Sequence, residues 1–383
     1  MNKLFNILAS FGLTVILLIF MFLIILFGTL YQVDHGLYAA QQKYFDSVYV
    51  MHELGPLTIP LPGAYILMVV FSINLLCGGL IRIRKGKGTI GILISHIGIV
   101  VMLISCALTF HFADRGHMRL FETQASNEFS SYVDWTIEIG KPGVGAEQFI
   151  IDDDDFSDLE GDKSRTFYND AIPFDIKLHS FSRNAFVSPV RPMISDNLKI
   201  VDEFFIDPMK PEKQAEQNMP AIYIEVIDSN TDETVEAILW GMSRNALTVN
   251  VDGEPWLIDL TRERWNVPFL VTLDEFIHEK YAGTQMAKSY ESYITKTENG
   301  EEETIRIWMN HPLRYKGYTF FQESWGPPNA APGEPLYSQF AVVRNPGDQG
   351  PLYACIIISI GLLLHFILKL LAYMRLEAKR RSS

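Results

Sequence analysis

Two histidines stand inside long apolar stretches of this sequence, where ionisable side chains are rare. His96 lies within residues 89–112 and His365 within residues 352–371. About 20 apolar residues span a bilayer, and an ionisable group inside such a span is costly to bury and is often functional. Neutral imidazole is a good metal ligand and can also relay protons. The two residues therefore predict a metal, haem or proton site, against the plainer alternative of a histidine hydrogen-bonded to a neighbouring helix.

The same two histidines are expected at comparable depth in the membrane. His96 follows Lys87 by nine residues, and His365 precedes Arg375 by ten residues. At a rise of 1.5 Å per residue, the imidazoles lie roughly 13 Å and 15 Å from the basic ends of their helices. Two such imidazoles could fill both axial positions of one haem iron. His96 and His365 are therefore candidate haem ligands.

The helix around His96 has two distinct faces. Small residues and one methionine recur on a single stripe at intervals of three and four: Gly88, Gly91, Ser95, Gly98, Met102 and Ser105. Small residues on a stripe let a second helix approach closely. At about 100° per residue, His96 points well away from the stripe, beside the bulky side chains of Ile92, Val100 and Leu103. One face is thus expected to pack and the other to present an imidazole.

Four apolar runs are long enough to cross a membrane. They cover residues 7–30, 64–81, 89–112 and 352–371. The first run is too long for the apolar part of a signal peptide, so we interpret it as a retained anchor. The loop 82–87 and the C-terminal tail are strongly basic, whereas the polar loop 31–63 carries more acids than lysines. Positive charge favours the cytoplasmic side, so both termini are expected inside and residues 113–350 outside.

The predicted fold class is an integral membrane α-helical protein with four transmembrane helices and a large extracytoplasmic β-rich domain. That domain lies between helices three and four. Residues 1–112 form the membrane domain with three spans, residues 113–350 form the outer domain, and residues 351–383 hold the last span and a basic cytoplasmic tail. The outer domain contains most of the acid responsible for the net charge of -13. This acidity argues against nucleic acid as a partner.

The cysteines exclude one class of chemistry. Cys77, Cys106 and Cys355 all lie in apolar runs, and the polar middle of the chain has none. The outer domain therefore has no internal disulfide and no CxxC motif, so the chain is not itself a thiol oxidoreductase.

Alternating apolar and polar residues predict strands in the outer domain. The segments are Asp134–Ile139, Phe174–His179, Ala221–Ile227, Thr304–Met309 and Gln339–Val343. Residues 247–260 predict a hairpin that turns at Asp252-Gly253, and Asn299-Gly300 is a second turn signal. The acidic run 152–155 lacks the spacing of a calcium loop and is interpreted as a solvated loop. Residues 207–219 are also expected to form a loop.

Residues 268–325 resemble the signature of the ResB family of cytochrome c biogenesis proteins, also called CcsB. The most specific pieces are Asn310-His311-Pro312-Leu313, Tyr315, Gly317-Tyr318 and Phe321-Gln322. Residues 343–347 and the end of the first apolar run are also similar to the family. Three spans, an outer β domain and one last span are the family's topology. The motif itself also has a purely structural interpretation, in which Pro312 and Gly317 bracket a turn between two strands.

The resemblance implies a subunit of a system II cytochrome c biogenesis complex in the bacterial cytoplasmic membrane. Such a complex moves haem b outward and presents it for covalent attachment to CxxCH motifs of apocytochrome c. The implied partners are a tryptophan-rich membrane protein of the CcsA or ResC type, apocytochrome c, a thiol-reducing thioredoxin-like protein and membrane lipid. The tryptophan-rich motif is absent here, so this chain alone is not expected to be the catalyst. The alternative is a scaffold that docks apocytochrome or partner proteins and never binds haem.

The resemblance also offers a second arrangement for the membrane histidines. A family histidine thought to bind haem matches His96 in position, and its second ligand would come from the partner protein. His365 would then be a helix-packing residue. The remaining histidines that we considered are expected to be surface or structural residues: His35, His52, His111, His117 and His311.

Overall fold

A computed structural model describes residues 3–143, 148–190, 199–231, 233–284, 287–331 and 333–381 of the chain. The chain divides into two compact units. One comprises Met1–Asp114 together with Val343–Ser383, and the other comprises Arg115–Val342. We call the first the membrane unit and the second the outer domain, after the orientation that the charge pattern predicts.

Among its described residues, the membrane unit contains four helices that are long and apolar enough to cross a bilayer. They are span one (Phe11–His35), span two (Ala64–Ile81), span three (Ile90–Phe112) and span four (Gly350–Arg381). Spans two and three agree closely with the expected runs. Span four continues through the basic tail, because the residues after 371 include strong helix formers.

Span one begins later than the expected residue 7. A short helix, Lys3–Leu8, precedes it, and Ser10 caps span one by accepting a hydrogen bond from the Leu13 amide at 3.2 Å. Asn74 of span two is buried and donates to the carbonyls of Leu8 (2.6 Å) and Ser10 (3.2 Å). This side chain satisfies backbone groups that the break between the two helices leaves free.

The segment 31–63, expected as a polar loop, is largely ordered into regular structure. Its elements are the end of span one, a helical turn (Leu37–Ala40), a π-helix (Gln41–Phe45) and the hairpin β1 (Tyr49–Leu54) and β2 (Leu57–Pro62). The fully buried Tyr44 anchors this segment, with its hydroxyl 2.7 Å from Nδ1 of His52. The loop prediction was wrong because polarity alone does not reveal a hairpin that folds back onto a helix.

Sixteen further strands are present in the described part of the chain. They are β3 (Asp114–Phe121), β4 (Ala125–Gly140), β5 (Gln148–Asp152), β6 (Ser164–Phe167), β7 (Phe174–Ser182), β8 (Ala185–Pro189), β9 (Phe204–Pro208), β10 (Ala221–Asp228), β11 (Thr234–Trp240), β12 (Leu247–Val251), β13 (Glu254–Lys280), β14 (Ala287–Glu298), β15 (Glu301–Trp308), β16 (Leu313–Tyr315), β17 (Tyr318–Gly326) and β18 (Tyr337–Arg344). The β-rich character expected of the outer domain is confirmed.

Two sheets build most of the outer domain. The larger has the order β15-β14-β13-β4-β3-β18-β17-β16, with β12 paired to β13 and β5 to β4. The smaller has the order β11-β10-β7-β6. The long strands β4 and β13 serve two hydrophobic cores. Trp135 and Trp256 pack with Ile176 of the smaller sheet in one core, and Phe129 and Val271 belong to the other.

The strand and turn predictions are confirmed almost throughout. All five alternating segments fall in strands, except that Met309 lies just beyond the end of β15. Asp252 and Gly253 have positive φ angles of 54° and 79°, and Asn299 and Gly300 have 52° and 85°. Two consecutive residues with positive φ form the turn that suits a two-residue hairpin, which explains the preference for Asp-Gly and Asn-Gly.

The acidic run 152–155 is not a loop. Asp152 ends β5, and Asp153–Phe156 forms one helical turn that buries Phe156. Carboxylates suit the first turn of a helix because the amide groups there carry partial positive charge. Within the described ranges there is no group of three or more His, Cys, Asp or Glu residues that could hold a metal ion. In the segment 207–219, β9 extends through Pro208 and Ala215–Gln217 forms a 3-10 turn.

Candidate functional site

Spans three and four are in backbone contact along the small-residue stripe. A Cβ placed on Gly91 would lie 2.6 Å from both the Gly361 oxygen and the His365 nitrogen, and one on Gly98 would lie 2.9 Å from the Ile358 nitrogen. Such distances leave no room for any side chain. The stripe prediction is therefore confirmed for its central residues, whereas a Cβ on Gly88 would have no neighbour within 4 Å and this residue precedes the helix.

His365 lies in the contact between spans three and four. Its backbone is directly against Gly91, and its ring is 5.7 Å from the ring of Phe366. Its Nδ1 atom is buried and has no hydrogen-bond partner among the described residues. Buried polar atoms are usually satisfied, so this imidazole is an unusual feature of the packed helix pair.

His96 lies on a different face of span three. Its Nδ1 is 2.8 Å from the carbonyl oxygen of Ile92, one turn earlier. A carbonyl only accepts hydrogen bonds, so Nδ1 donates to Ile92, and in the neutral imidazole Nε2 is the nitrogen with the lone pair. Nε2 makes no hydrogen bond to the described residues, and the side chain is half-buried. Metal-binding histidines are commonly oriented in this way, with the other ring nitrogen donating to a carbonyl.

The neighbour of His96 on span two is a glycine in an unusual turn. Span two changes from α-helix to π-helix over Leu75–Ile81. A Cβ on Gly79 would lie 2.8 Å from Cδ2 of His96, and one on Gly78 would lie 3.2 Å from the Ala9 oxygen. Two consecutive glycines thus face two different neighbours.

The structure does not bring His96 and His365 together. His365 is level with Gly91, which is five residues before His96, or about 7.5 Å along the helix axis. Five residues also rotate the direction of the side chain by about 140°. The two imidazoles therefore face different sides of span three, and their joint role as ligands stays a prediction. His96 by itself has the geometry of a metal ligand at Nε2, because its Nδ1 donates to the Ile92 carbonyl and the adjacent Gly79 has no side chain.

Histidines near span one pack on aromatic rings. His35 stacks on Tyr31 with ring centres 3.8 Å apart, and His52 stacks on Phe27 at 4.0 Å. His111, at the end of span three, makes an edge contact with Tyr65 at 6.2 Å. These contacts give the three imidazoles packing roles.

In the outer domain, burial lowers the pKa of His117, whose Nδ1 is buried without a partner among the described residues. This imidazole is therefore neutral at pH 7.

Two histidines of the outer domain were missed by the sequence analysis. His179 receives a hydrogen bond from Lys199 at 2.9 Å. His278 packs against Tyr290 and Trp325, with ring centres 4.9 Å and 4.6 Å away. His278 and Tyr290 are directly opposite each other in β13 and β14. Only the strand register reveals this pair, so no local sequence signal could have identified it.

The motif around residues 310–322 forms turns and a hairpin. Asn310 has a positive φ angle of 62°, and the rings of Trp308 and His311 stack at 4.1 Å across this turn. Lys316 and Gly317 have φ angles of 48° and 83° between β16 and β17. Such turns require residues that tolerate positive φ. The structural interpretation of the motif therefore accounts for these positions.

Gln322 has a structural role as well. Its Oε1 accepts a hydrogen bond from the fully buried Ser292 at 2.6 Å, and its Nε2 donates to the fully buried Ser338 at 2.9 Å. The two serine hydroxyl groups are 2.9 Å apart. Buried hydroxyl groups need partners, and this glutamine supplies them between three strands of the larger sheet.

Residues 239–332 match the model of the ResB-like family. This finding confirms the resemblance that the sequence suggested. The matched segment lies wholly in the outer domain, from the end of β11 to the region after β17, and contains the Asn310–Gln322 motif but neither membrane histidine. No protein of curated function matches the chain.

Proposed function

From the ResB-like outer domain and the geometry of His96, we propose that this chain is a haem-handling subunit of a system II cytochrome c biogenesis complex. It holds haem b in the membrane and presents it at the outer face for attachment to CxxCH motifs of apocytochrome c. The family match supports a role in cytochrome c biogenesis. The proposal that this chain binds haem rests on one observation: Nε2 of His96 has no hydrogen-bond partner among the described residues and lies in a membrane-length helix.

In this proposal haem is the cargo, and its iron accepts nitrogen ligands at two axial positions. His96 offers Nε2 to one position. The Ile92 carbonyl holds the proton on Nδ1 and so keeps Nε2 available. The apolar side chains of span three exclude water around the imidazole.

The second axial ligand comes from the tryptophan-rich partner of the CcsA or ResC type. This assignment is supported by the position of His365, which lies against Gly91 on another face of span three. His365 then serves in packing spans three and four. A separate thioredoxin-like protein keeps the apocytochrome thiols reduced, because no cysteine lies between Arg115 and Val342 of this chain.

The four apolar helices fit a membrane protein. We place it in the bacterial cytoplasmic membrane with both termini inside and the outer domain outside, on the strength of the basic loop 82–87 and the basic tail. Catalysis of attachment is assigned to the whole complex and not to this chain alone.

The test is haem retention by the complex purified from membranes. The wild-type complex should show a Soret band. His96→Gly should lose most of its haem and regain it when imidazole is added, because free imidazole can occupy the vacated position. His365→Gly, the matched variant on span four, should keep its haem.

Other results would change the proposal. Loss of haem in both variants, with rescue of both by imidazole, would favour a pair of ligands within this chain. Full haem retention by His96→Gly, or a wild-type complex without a Soret band, would instead support the scaffold function.

A further inference from the structure

We propose that Gly79 is a positioning residue for His96, and that its missing side chain gives the imidazole the space in which Nε2 stays available. The identity of the ligand as haem rests on the proposed function. The effect of Gly79 on the imidazole is independent of haem and can be measured without it.

The π-turn of span two directs Gly79 toward His96. The Arg82 amide donates to the Cys77 carbonyl, five residues earlier, at 2.9 Å. This is the hydrogen bond of a π-helix, which inserts one residue into the turn. Gly78 then faces the Ala9 carbonyl, and Gly79 faces the imidazole. The π-helical geometry thus places a residue without a side chain next to the imidazole of His96.

The contact involves the ring edge that carries the free nitrogen. Cδ2 of His96 is bonded to Nε2, and a Cβ on residue 79 would lie 2.8 Å from Cδ2 and 3.2 Å from Cγ. Carbon atoms in ordinary contact lie about 3.5–4.0 Å apart. Any side chain at residue 79 must therefore displace the ring, and displacement weakens the 2.8 Å hydrogen bond from Nδ1 to Ile92.

The clash at Gly79 involves side chains only. The three atoms nearest to a Cβ there are Cδ2 and Cγ of His96 and, at 3.1 Å, Cδ1 of Leu75. Side chains can shift without moving the backbone, and alanine is a better helix former than glycine. Gly79→Ala should therefore fold and insert normally while it moves the imidazole.

Gly98 provides a matched control on the same helix as His96. A Cβ there would lie 2.9 Å from the Ile358 nitrogen and 3.1 Å from the Ala354 oxygen, both backbone atoms of span four. Gly98→Ala introduces the same methyl group where span three packs against span four. It disturbs helix packing but does not touch His96.

The first measurement uses the haem-free full chain, labelled with ¹⁵N-histidine in detergent, with the His96 signals assigned by their loss in His96→Gln. The wild-type signals should show a protonated Nδ1 and an unprotonated Nε2. In Gly79→Ala the population should shift toward the form protonated at Nε2, because the Ile92 hydrogen bond is weakened. Gly98→Ala should leave the tautomer as in the wild type. An unchanged tautomer in Gly79→Ala would overturn the proposal.

The second measurement is haem retention by the purified complex. Gly79→Ala should retain less haem than the wild type and show a displaced Soret band. The double variant His96→Gly with Gly79→Ala should regain haem with imidazole as fully as His96→Gly alone, because free imidazole is not held against residue 79. If imidazole restores haem to His96→Gly but not to the double variant, the positioning role of Gly79 is overturned.

Thermal unfolding distinguishes a positioning role from general damage. If the added methyl group acts through the ring, Gly79→Ala should not lower stability once His96 is glycine. A loss of stability that persists in the double variant would contradict the proposal. If the proposed function is wrong, His96→Gly will keep its haem, but the tautomer of His96 will still change in Gly79→Ala.

Discussion

The membrane histidines differ in role because their immediate neighbours differ. His96 donates to the Ile92 carbonyl and faces a glycine, so one nitrogen is left as a potential ligand. His365 lies against the backbone of Gly91, with its Nδ1 enclosed. The chemistry available to an imidazole is thus decided by which nitrogen is already used and by what surrounds the other.

Asp153, in the one-turn helix after β5, is expected to destabilise the outer domain at neutral pH. Burial raises its pKa, and the Arg183 guanidinium at 3.9 Å only partly opposes this effect. A raised pKa in the fold favours the protonated acid, so the penalty is absent below the unfolded pKa of about 3.9 and grows as pH rises through the folded value. Asp153→Asn should therefore raise the free energy of unfolding at pH 7, and this gain should shrink toward pH 4.

Tryptophan fluorescence during urea unfolding can measure this effect in the full chain. All six tryptophans lie between Arg115 and Val342, so the signal reports on the outer domain alone. Asp154→Asn, at the exposed next position, should have little effect at any pH. A gain for Asp153→Asn that did not depend on pH would show that charge burial is not the cause.

Gln322 connects two buried serine side chains of the larger sheet. Gln322→Leu would leave the buried hydroxyls of Ser292 and Ser338 with fewer partners. Loss of a partner from a buried polar group typically costs about 1–3 kcal/mol. The same fluorescence measurement should show a loss of this size. Gln148→Leu, at the exposed start of β5, is the control, and equal effects of the two substitutions would contradict a role for the buried network.

The contact between spans three and four depends on glycines, which have no side chain. Gly98→Ala should lower the stability of the helix pair by about 1–3 kcal/mol, the usual cost of overpacking. Loss of helical circular dichroism on heating in detergent would measure it. Gly88→Ala is the control, since a Cβ there would have no neighbour within 4 Å. Equal melting of the two variants would mean that the helices are held together by other contacts.

The long strands β4 and β13 connect the two hydrophobic cores of the outer domain. Each runs from one hydrophobic core into the other, because its inward-facing residues continue along its whole length. The family-matched segment contains all of β13 and the hairpins that follow it. Much of the family-matched segment therefore has a structural function in the outer domain.

For the whole molecule, the charge pattern predicts the orientation. Protease added to intact spheroplasts should cut between residues 115 and 342 and leave the four helices in the membrane, because the basic loop 82–87 and tail favour the cytoplasmic side. Lysed cells provide the control, in which the loop 82–87 also becomes accessible. Protection of the outer domain in intact spheroplasts would reverse the orientation.

Features that depend on local composition and spacing could be predicted from the sequence. Runs of apolar residues identified all four helices, and alternation identified strands such as Ala221–Asp228. Asp252-Gly253 and Asn299-Gly300 identified their turns because few residues tolerate positive φ. His96 and the small-residue stripe were recognisable from helical periodicity alone.

Contacts between different helices or strands could not be predicted from the sequence and are seen only in the structure. Three contacts each join two different helices or strands: Gly79 with His96, His365 with Gly91, and His278 with Tyr290. The hairpin β1–β2 was also hidden, since its inner face is buried only by folding back onto span one. Such contacts depend on helix packing and strand register, which are set by the combined shapes of many side chains and leave no mark in any short stretch of sequence.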